Sequence, residues 1–301
     1  MAMTIGCFAL IDPFSTLDHQ LDRIRDWGFQ HADVTDNSDG GSLGVEFGFA
    51  AVASLDANPF DLKRQFDERG LSITSYYAHA SLLDPTAPWR YGTSQIIKAI
   101  RAAAAIGVKH VITTEGDAHT QFGRSLTDSE AIFTVCEKLY EPLRVAADHG
   151  VRLLLEPHGR LTDSIEATER ILETCDSDAL ALNLDTGNVW LGGCDPVDYV
   201  KRFGSLIEHV HWKDMPAELE APRGTVFGTG MAVIPLGTGG WGSARSTTPL
   251  SGSDLPGTRR SRWPARRQCS LAATTSGSWA LRNRDGPRDR RSSSAIARAG
   301  R

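Results

Sequence analysis

From residue 241 to residue 301 the chain has no Lys, Glu, Val, Phe, Tyr, His or Met. That stretch holds 13 Arg and 3 Asp, a balance of +10, which leaves 19 basic and 34 acidic side chains in the first 240 residues, a balance of −15. The overall charge of −5 on 301 residues therefore averages two chemically different pieces. Cysteine is also scarce. Cys7, Cys136, Cys175, Cys194 and Cys269 are scattered and show no CxxC spacing, so neither a disulfide framework nor a cysteine zinc site is expected. No run approaches the roughly 20 apolar residues that span a bilayer. The first residues show no basic region followed by an apolar run and a small-residue cleavage site. A cytoplasmic protein without a membrane partner is expected. With 41% hydrophobic and 23% charged residues, collagen, coiled coil and wholesale disorder are excluded.

What is present is an alternation of short apolar runs and amphipathic stretches. Thr4–Leu10 reads as a strand covered on both faces, and Leu17–Trp27 as a helix with Leu17, Leu21, Ile24 and Trp27 on one side and Gly28 as its stop. The cycle repeats with strand His31–Thr35 and helix Pro59–Arg69, then strand Leu71–Ala78 and helix Ser94–Ile106. Strand Val108–Thr114 and helix Asp128–His149 come next, then strand Val151–Glu156 and helix Ser164–Cys175. Strand Ala179–Asp185, a helix from Asp195 to Phe203 and strand Ile207–Trp212 complete the series. A strand about every 30 residues is the spacing of a (β/α)8 barrel. A doubly wound open sheet would need a Gly-rich phosphate turn after its first strand, and Cys7-Phe8-Ala9-Leu10-Ile11-Asp12 is not one.

Barrels of this kind place their active sites at the C-terminal ends of the strands. There the sequence carries Tyr77-Ala78-His79, Thr114-Glu115, Leu155-Glu156-Pro157-His158, Leu184-Asp185-Thr186-Gly187-Asn188 and His209-Val210-His211-Trp212-Lys213-Asp214. A single carboxylate at a strand end is usually a helix cap. Glu, Asp and His on three consecutive strands converge on one point, and an O/N set without thiolate suits Mn²⁺, Mg²⁺ or Co²⁺ better than structural zinc.

In these residues, and in the later Ile234-Pro235-Leu236-Gly237-Thr238-Gly239, the chain resembles the xylose isomerase-like barrels, which include ketose 3-epimerases, hydroxypyruvate isomerase, inosose dehydratase and endonuclease IV. The likeness runs from residue 4 to about residue 240. It implies one divalent metal, Mn²⁺ first, held by Glu156, Asp185, His211 and a further Glu from strand eight. It implies a sugar or polyol substrate, whose proton next to the carbonyl Glu156 removes through a metal-stabilised enediolate. His79, His158, Lys213, Asn188 and Glu115 are the implied substrate contacts. Asn188 stands where many relatives have a His, and Glu115 reads equally well as a cap. The expected function is a metal-dependent isomerase or epimerase. Inosose dehydration is the alternative, and a catalytically impaired sugar-binding barrel the alternative of another class. Endonuclease IV-like DNA repair is disfavoured, because Gly230-Met231-Ala232-Val233 lacks the extra ligands and a barrel at −15 repels nucleic acid. Homo-oligomerisation stays open.

The resemblance calls for an eighth strand after residue 240. The chain from there on is Arg-, Ser-, Gly- and Pro-rich, with too little apolar content for a strand or packed helix. The expected domain plan is thus residues 1–240 as a barrel of seven βα-type strands, open between strands one and seven, and residues 241–301 as a disordered tail. An Arg-rich stretch without Lys is also characteristic of a GC-rich gene translated out of frame. Back-translating Arg259–Cys269 and starting each codon at its third base permits Ala-Val-Glu-Val-Ala-Gly-Glu-Ala-Ala-Met, a Glu-bearing strand. We therefore expect a one-base slip in the gene near codon 240. Sequencing that DNA checks it, and an uninterrupted frame with no alternative encoding the Glu strand would remove the idea.

Overall fold

The computed structural model describes residues 4–36, 49–85, 91–116, 118, 120–228, 233–239 and 270–273. Its strands are β1 (Thr4–Phe8), β2 (His31–Thr35), β3 (Ser72–Tyr77), β4 (His110–Thr114), β5 (Arg152–Glu156), β6 (Leu180–Asp185), β7 (Ile207–Trp212) and β8 (Ser270–Ala273). They pair in parallel, in chain order, into a closed TIM barrel. The helices are α1 (Leu17–Asp26), α2 (Pro59–Asp67), α3 (Tyr91–Ile106), α4 (Gln121–Ser125), α5 (Asp128–His149), α6 (Ile165–Cys175), α7 (Thr186–Leu191) and α8 (Pro196–Phe203). Among the described residues no helix is long and apolar enough to cross a membrane.

Alternation along the strands divides two cores. On β5, Leu153 and Leu155 join the large cluster between sheet and helices, while Leu154 belongs to a small lumen cluster with Tyr77, Ile112 and Ala181, against which Phe8 packs. Toward the C-terminal ends of the strands the lumen turns polar, with Glu156, Asn183, Asp185, His209 and His211 all buried. At the opposite ends, Glu208 pairs with Arg152 at 2.9 Å and with His110 at 3.3 Å. The helices start where polar caps satisfy their free N–H groups: Thr16, Thr127, Ser164 and Asp195 each accept a backbone N–H in the first turn, worth about 1 kcal/mol apiece. Thr127 and Glu130 form a full capping box. α5 ends at Gly150, whose φ of 63° a residue with a Cβ adopts only under strain.

One expectation needs correcting. The barrel has no open seam, because β8 pairs with both β7 and β1. Two neighbouring sheet edges offer rows of unpaired N–H and C=O groups, and pairing between them is backbone chemistry that a four-residue Ser-Leu-Ala-Ala segment can supply. The eighth unit is nonetheless disrupted, for those four residues carry no carboxylate. The expected disorder of the tail and the Glu-bearing strand at Arg259–Cys269 lie outside the described residues. At the end of β6 the structure adds a helix that the periodicity does not predict. Asp185 Oδ1 accepts from Gly187 and Asn188 N–H at 3.0 and 2.9 Å, and helix α7 begins at once.

Glu115, one of the expected substrate contacts, is a loop anchor. It is buried just after β4, and its two oxygens accept from the backbone N–H of Leu161 (3.2 Å) and Thr162 (2.6 Å). Burial pushes its pKa up to about 7, only partly offset by those two N–H groups. A carboxyl whose folded pKa lies above its ordinary 4.5 gives stability that is complete below pH 4.5 and lost as pH rises through about 7. Urea unfolding across that range should show the wild type losing up to about 3 kcal/mol relative to Glu115→Gln, whose own profile is flatter. Parallel profiles for the two proteins would rule the effect out.

Candidate metal centre

Glu156 closes β5, Asp185 closes β6 and His211 is the penultimate residue of β7, so the direction of three strands aims three donors at one place. Their ligand atoms lie within 4.8 Å of one another and all three residues are buried. The tightest contact is His211 Nδ1 to Glu156 Oε2 at 2.8 Å. Burial works against charge on both groups, but each outweighs it for the other: Glu156 is held at about 2, chiefly by His211 and then by Lys213 and His158, and His211 is pushed up to about 10 by Glu156 and Asp33. Without an ion the pair is a carboxylate and an imidazolium.

Further groups fix the geometry. The Tyr77 hydroxyl donates to Glu156 Oε1 at 3.3 Å, and Asn183 Nδ2 donates to Glu156 Oε2. Phe8 stacks on the His211 ring with centroids 5.3 Å apart and planes 9° from parallel. Since Oδ1 of Asp185 caps α7, only Oδ2 remains for the site. It sits 2.7 Å from Lys213 Nζ without hydrogen-bond alignment. Gly187 permits that approach, since a Cβ there would stand 2.8 Å from Lys213 Cβ. Asp185 Oδ2 is a buried polar atom with no hydrogen-bond partner. That orphan, beside the Glu156 carboxylate and His211 Nδ1, fits a divalent cation, which would draw on Glu156, Asp185 and His211. In the barrel register β8 stands abreast of β7 with Ala272 opposite His211, and the Ser-Leu-Ala-Ala sequence of β8 holds no carboxylate.

The remaining expected contacts fall into two groups. His79 and His158 stand together at the rim, their rings edge to face at 5.8 Å, with His79 stacked on Tyr77 at 6.2 Å. His158 Nδ1 is buried without a hydrogen-bond partner. Asn188, by contrast, donates through Nδ2 to the Pro157 carbonyl at 2.8 Å and is fully buried, which makes it a brace between β5 and α7. Asp214 is a brace of the same kind. Its Oδ2 accepts from Gly237 and Gly239 N–H at 2.8 and 2.9 Å and ties the Pro235–Gly239 loop to β7.

Sequence reasoning missed Asp33, Asn183, Tyr77 and His209. Asp33 on β2 faces both histidines of β7, at 3.2 Å from His209 Nε2 and 3.6 Å from His211 Nε2. The signal available was the i, i+2 spacing of His209 and His211, which places both on one face of a strand.

The profile of the xylose isomerase-like TIM barrel family matches residues 21–238. An inosose dehydratase of Geobacillus kaustophilus (strain HTA426) is 25% identical over 231 residues, covering 71% of this chain and 72% of that protein. One from Lacticaseibacillus casei is 28% identical over 167 residues, 52% of this chain and 55% of the other, so the chain spans about half the length of that relative. Among solved structures, the IOLI protein with a bound zinc atom superposes with a TM-score of 0.62 at 17% identity, covering 90% of this chain and 89% of that one. The 3-keto-D-glucoside 4-epimerase YcjR from E. coli gives 0.57 at 19%, covering 72% and 82%. At such identities the two structures attest the shared fold. Together with the match over residues 21–238, the fold and the convergent Glu156, Asp185 and His211 place this chain in the xylose isomerase-like TIM barrel family.

Proposed function

We propose that the chain acts on a small polyhydroxylated ketone, removing the proton next to the carbonyl and then expelling the β-hydroxyl as water, with a keto-inositol as the substrate class. The observation that carries this reading is the presence in one layer of a carboxylate, Glu156, and an ammonium, Lys213 Nζ, which lies 2.7 Å from Asp185 Oδ2. Inverting a carbon centre calls for a base on each face, whereas elimination calls for one base and one acid. Among the described residues the ligand layer offers the second combination. Glu156 takes the proton from the α-carbon, and the electron pair left behind forms the α,β double bond as the C–O bond at the β-carbon breaks. Lys213 gives a proton to the departing hydroxide, which leaves as water. A divalent ion held by Glu156, Asp185 and His211 would supply Lewis-acid polarisation of the ketone. His79 and His158, at the rim, are placed to hydrogen-bond the remaining hydroxyls. The dehydratase names of the curated relatives support this reading, and the epimerase fold neighbours keep ketose epimerisation as its competitor.

The test is a panel of keto-inositols, ketoses and hydroxypyruvate, assayed with Mn²⁺ or Zn²⁺ present for both loss of water and change of stereochemistry. Water loss from a keto-inositol is expected, and epimerisation of a ketose without water loss would reverse the assignment. Lys213→Met should lower dehydration about 10²–10⁴-fold while the chain still binds the ion. The β8 register gives a separate expectation. Ala272→Glu should tighten divalent-ion binding about tenfold or more by adding a charged ligand abreast of His211, read by competition with a chromophoric chelator.

A further inference from the structure

Behind the three donors lies a second buried trio, Asp33, His209 and His211, whose ligand atoms also fall within 4.8 Å of one another. Both of its outer members sit beside a register shift. Between the pairs Ala32↔Ile73 and Val34↔Tyr76, β2 spends one residue and β3 spends two, Thr74 and Ser75. Successive residues of a regular strand point to opposite faces. Here the bulge turns both to one partner: the Thr74 and Ser75 hydroxyls each donate to Asp33 Oδ1, Ser75 at 2.7 Å. Between Leu182↔Ile207 and Asn183↔His209 the extra residue is Glu208 on β7. There His209 Nδ1 meets Asn183 Oδ1 at 2.7 Å, while the Asn183 amide nitrogen reaches Glu156. β-Bulges beside a site commonly re-aim side chains. These two direct a carboxylate and an amide onto His209 and His211.

His211 is held from opposite sides. Its Nδ1 faces Glu156 and the metal donors, and its Nε2, buried and without a hydrogen-bond partner, faces Asp33 Oδ2 at 3.6 Å. Metal-bound histidines generally give their second N–H to a carboxylate or carbonyl, which fixes the tautomer and strengthens the ligand. We propose that Asp33 is the positioning residue of the metal centre: its Oδ2 takes the Nε2–H of His211 and so commits Nδ1 to the ion, while the β3 bulge, through Thr74 and Ser75, holds Oδ1 and sets the aim. Oδ1 already serves two hydroxyls and His209, which leaves Oδ2 turned to His211 and argues against the inner trio as an ion site in its own right. The inference rests on the metal reading of Glu156, Asp185 and His211.

Zn²⁺ binding by the full chain tests it, using competition with a chromophoric chelator for affinity and stoichiometry, and ¹⁵N NMR of ring nitrogens for the tautomer in the Zn²⁺-loaded protein. In Asp33→Asn the amide can present N–H to Nε2, which favours the wrong tautomer. Affinity should fall about 10–100-fold, and the Nε2–H signature of His211 should be lost. Thr74→Val with Ser75→Ala keeps the carboxylate and removes its aim. It should lower affinity several-fold in the same direction, and it serves if Asp33→Asn does not fold. One Zn²⁺ per wild-type chain, bound with unchanged affinity and ring shifts in both variants, would overturn the positioning role alone. Two ions per chain, one of them lost in Asp33→Asn, would make Asp33 a ligand and overturn it likewise. A wild-type chain that binds no Zn²⁺ would overturn the metal reading and the positioning role together.

Discussion

The contact between Glu156 and His211 is the one on which the rest of the site is arranged. It lies in a lumen whose apolar floor is Tyr77, Ile112, Leu154 and Ala181, so little water is at hand to screen either charge. Each neighbour has a definite place around that pair. Tyr77 and Asn183 donate to the carboxylate, Phe8 fixes the ring plane, and Lys213 neutralises the next carboxylate along the barrel. A buried pair of this kind costs desolvation that its mutual attraction only roughly offsets. Its persistence through three strands is better explained by chemistry than by stability.

Much of the barrel was legible in the sequence because its units obey simple periodicities. Helix Asp128–His149 and strands His31–Thr35 and Ile207–Trp212 occur with the bounds the pattern predicts. Other elements are trimmed by residues that turn out to be caps: Ser164 and Asp195 precede their helices instead of belonging to them. Helices Gln121–Ser125 and Thr186–Leu191 were invisible for a different reason, since five or six residues do not complete two turns and leave no periodic trace. Strand Ser270–Ala273 has no side-chain signature because partner edges on both sides define it.

The site was legible to the same extent. Glu156, Asp185 and His211 each end or nearly end an apolar run of known direction, so their convergence comes from the barrel itself. Asp33 could not be read, because in His-Ala-Asp-Val-Thr it is an ordinary polar position. Its partners become visible only through the bulge that puts Thr74 and Ser75 on one side. For Glu115 and Asn188 the sequence left two readings open for a related reason. A polar residue at a strand end serves the loop next to it as readily as a ligand, and the choice depends on where Leu161, Thr162 and Pro157 place their backbone groups.

At the far pole of the barrel, Glu208 draws Arg152 and His110 together across the starts of three strands. Below the lumen core this cross-brace stands where a channel would otherwise have its second opening. Among the described residues the lumen thus carries charge at both ends, with the apolar layer of Ile112, Leu154 and Ala181 between the salt-bridged base and the layer of Glu156, Asp185 and His211.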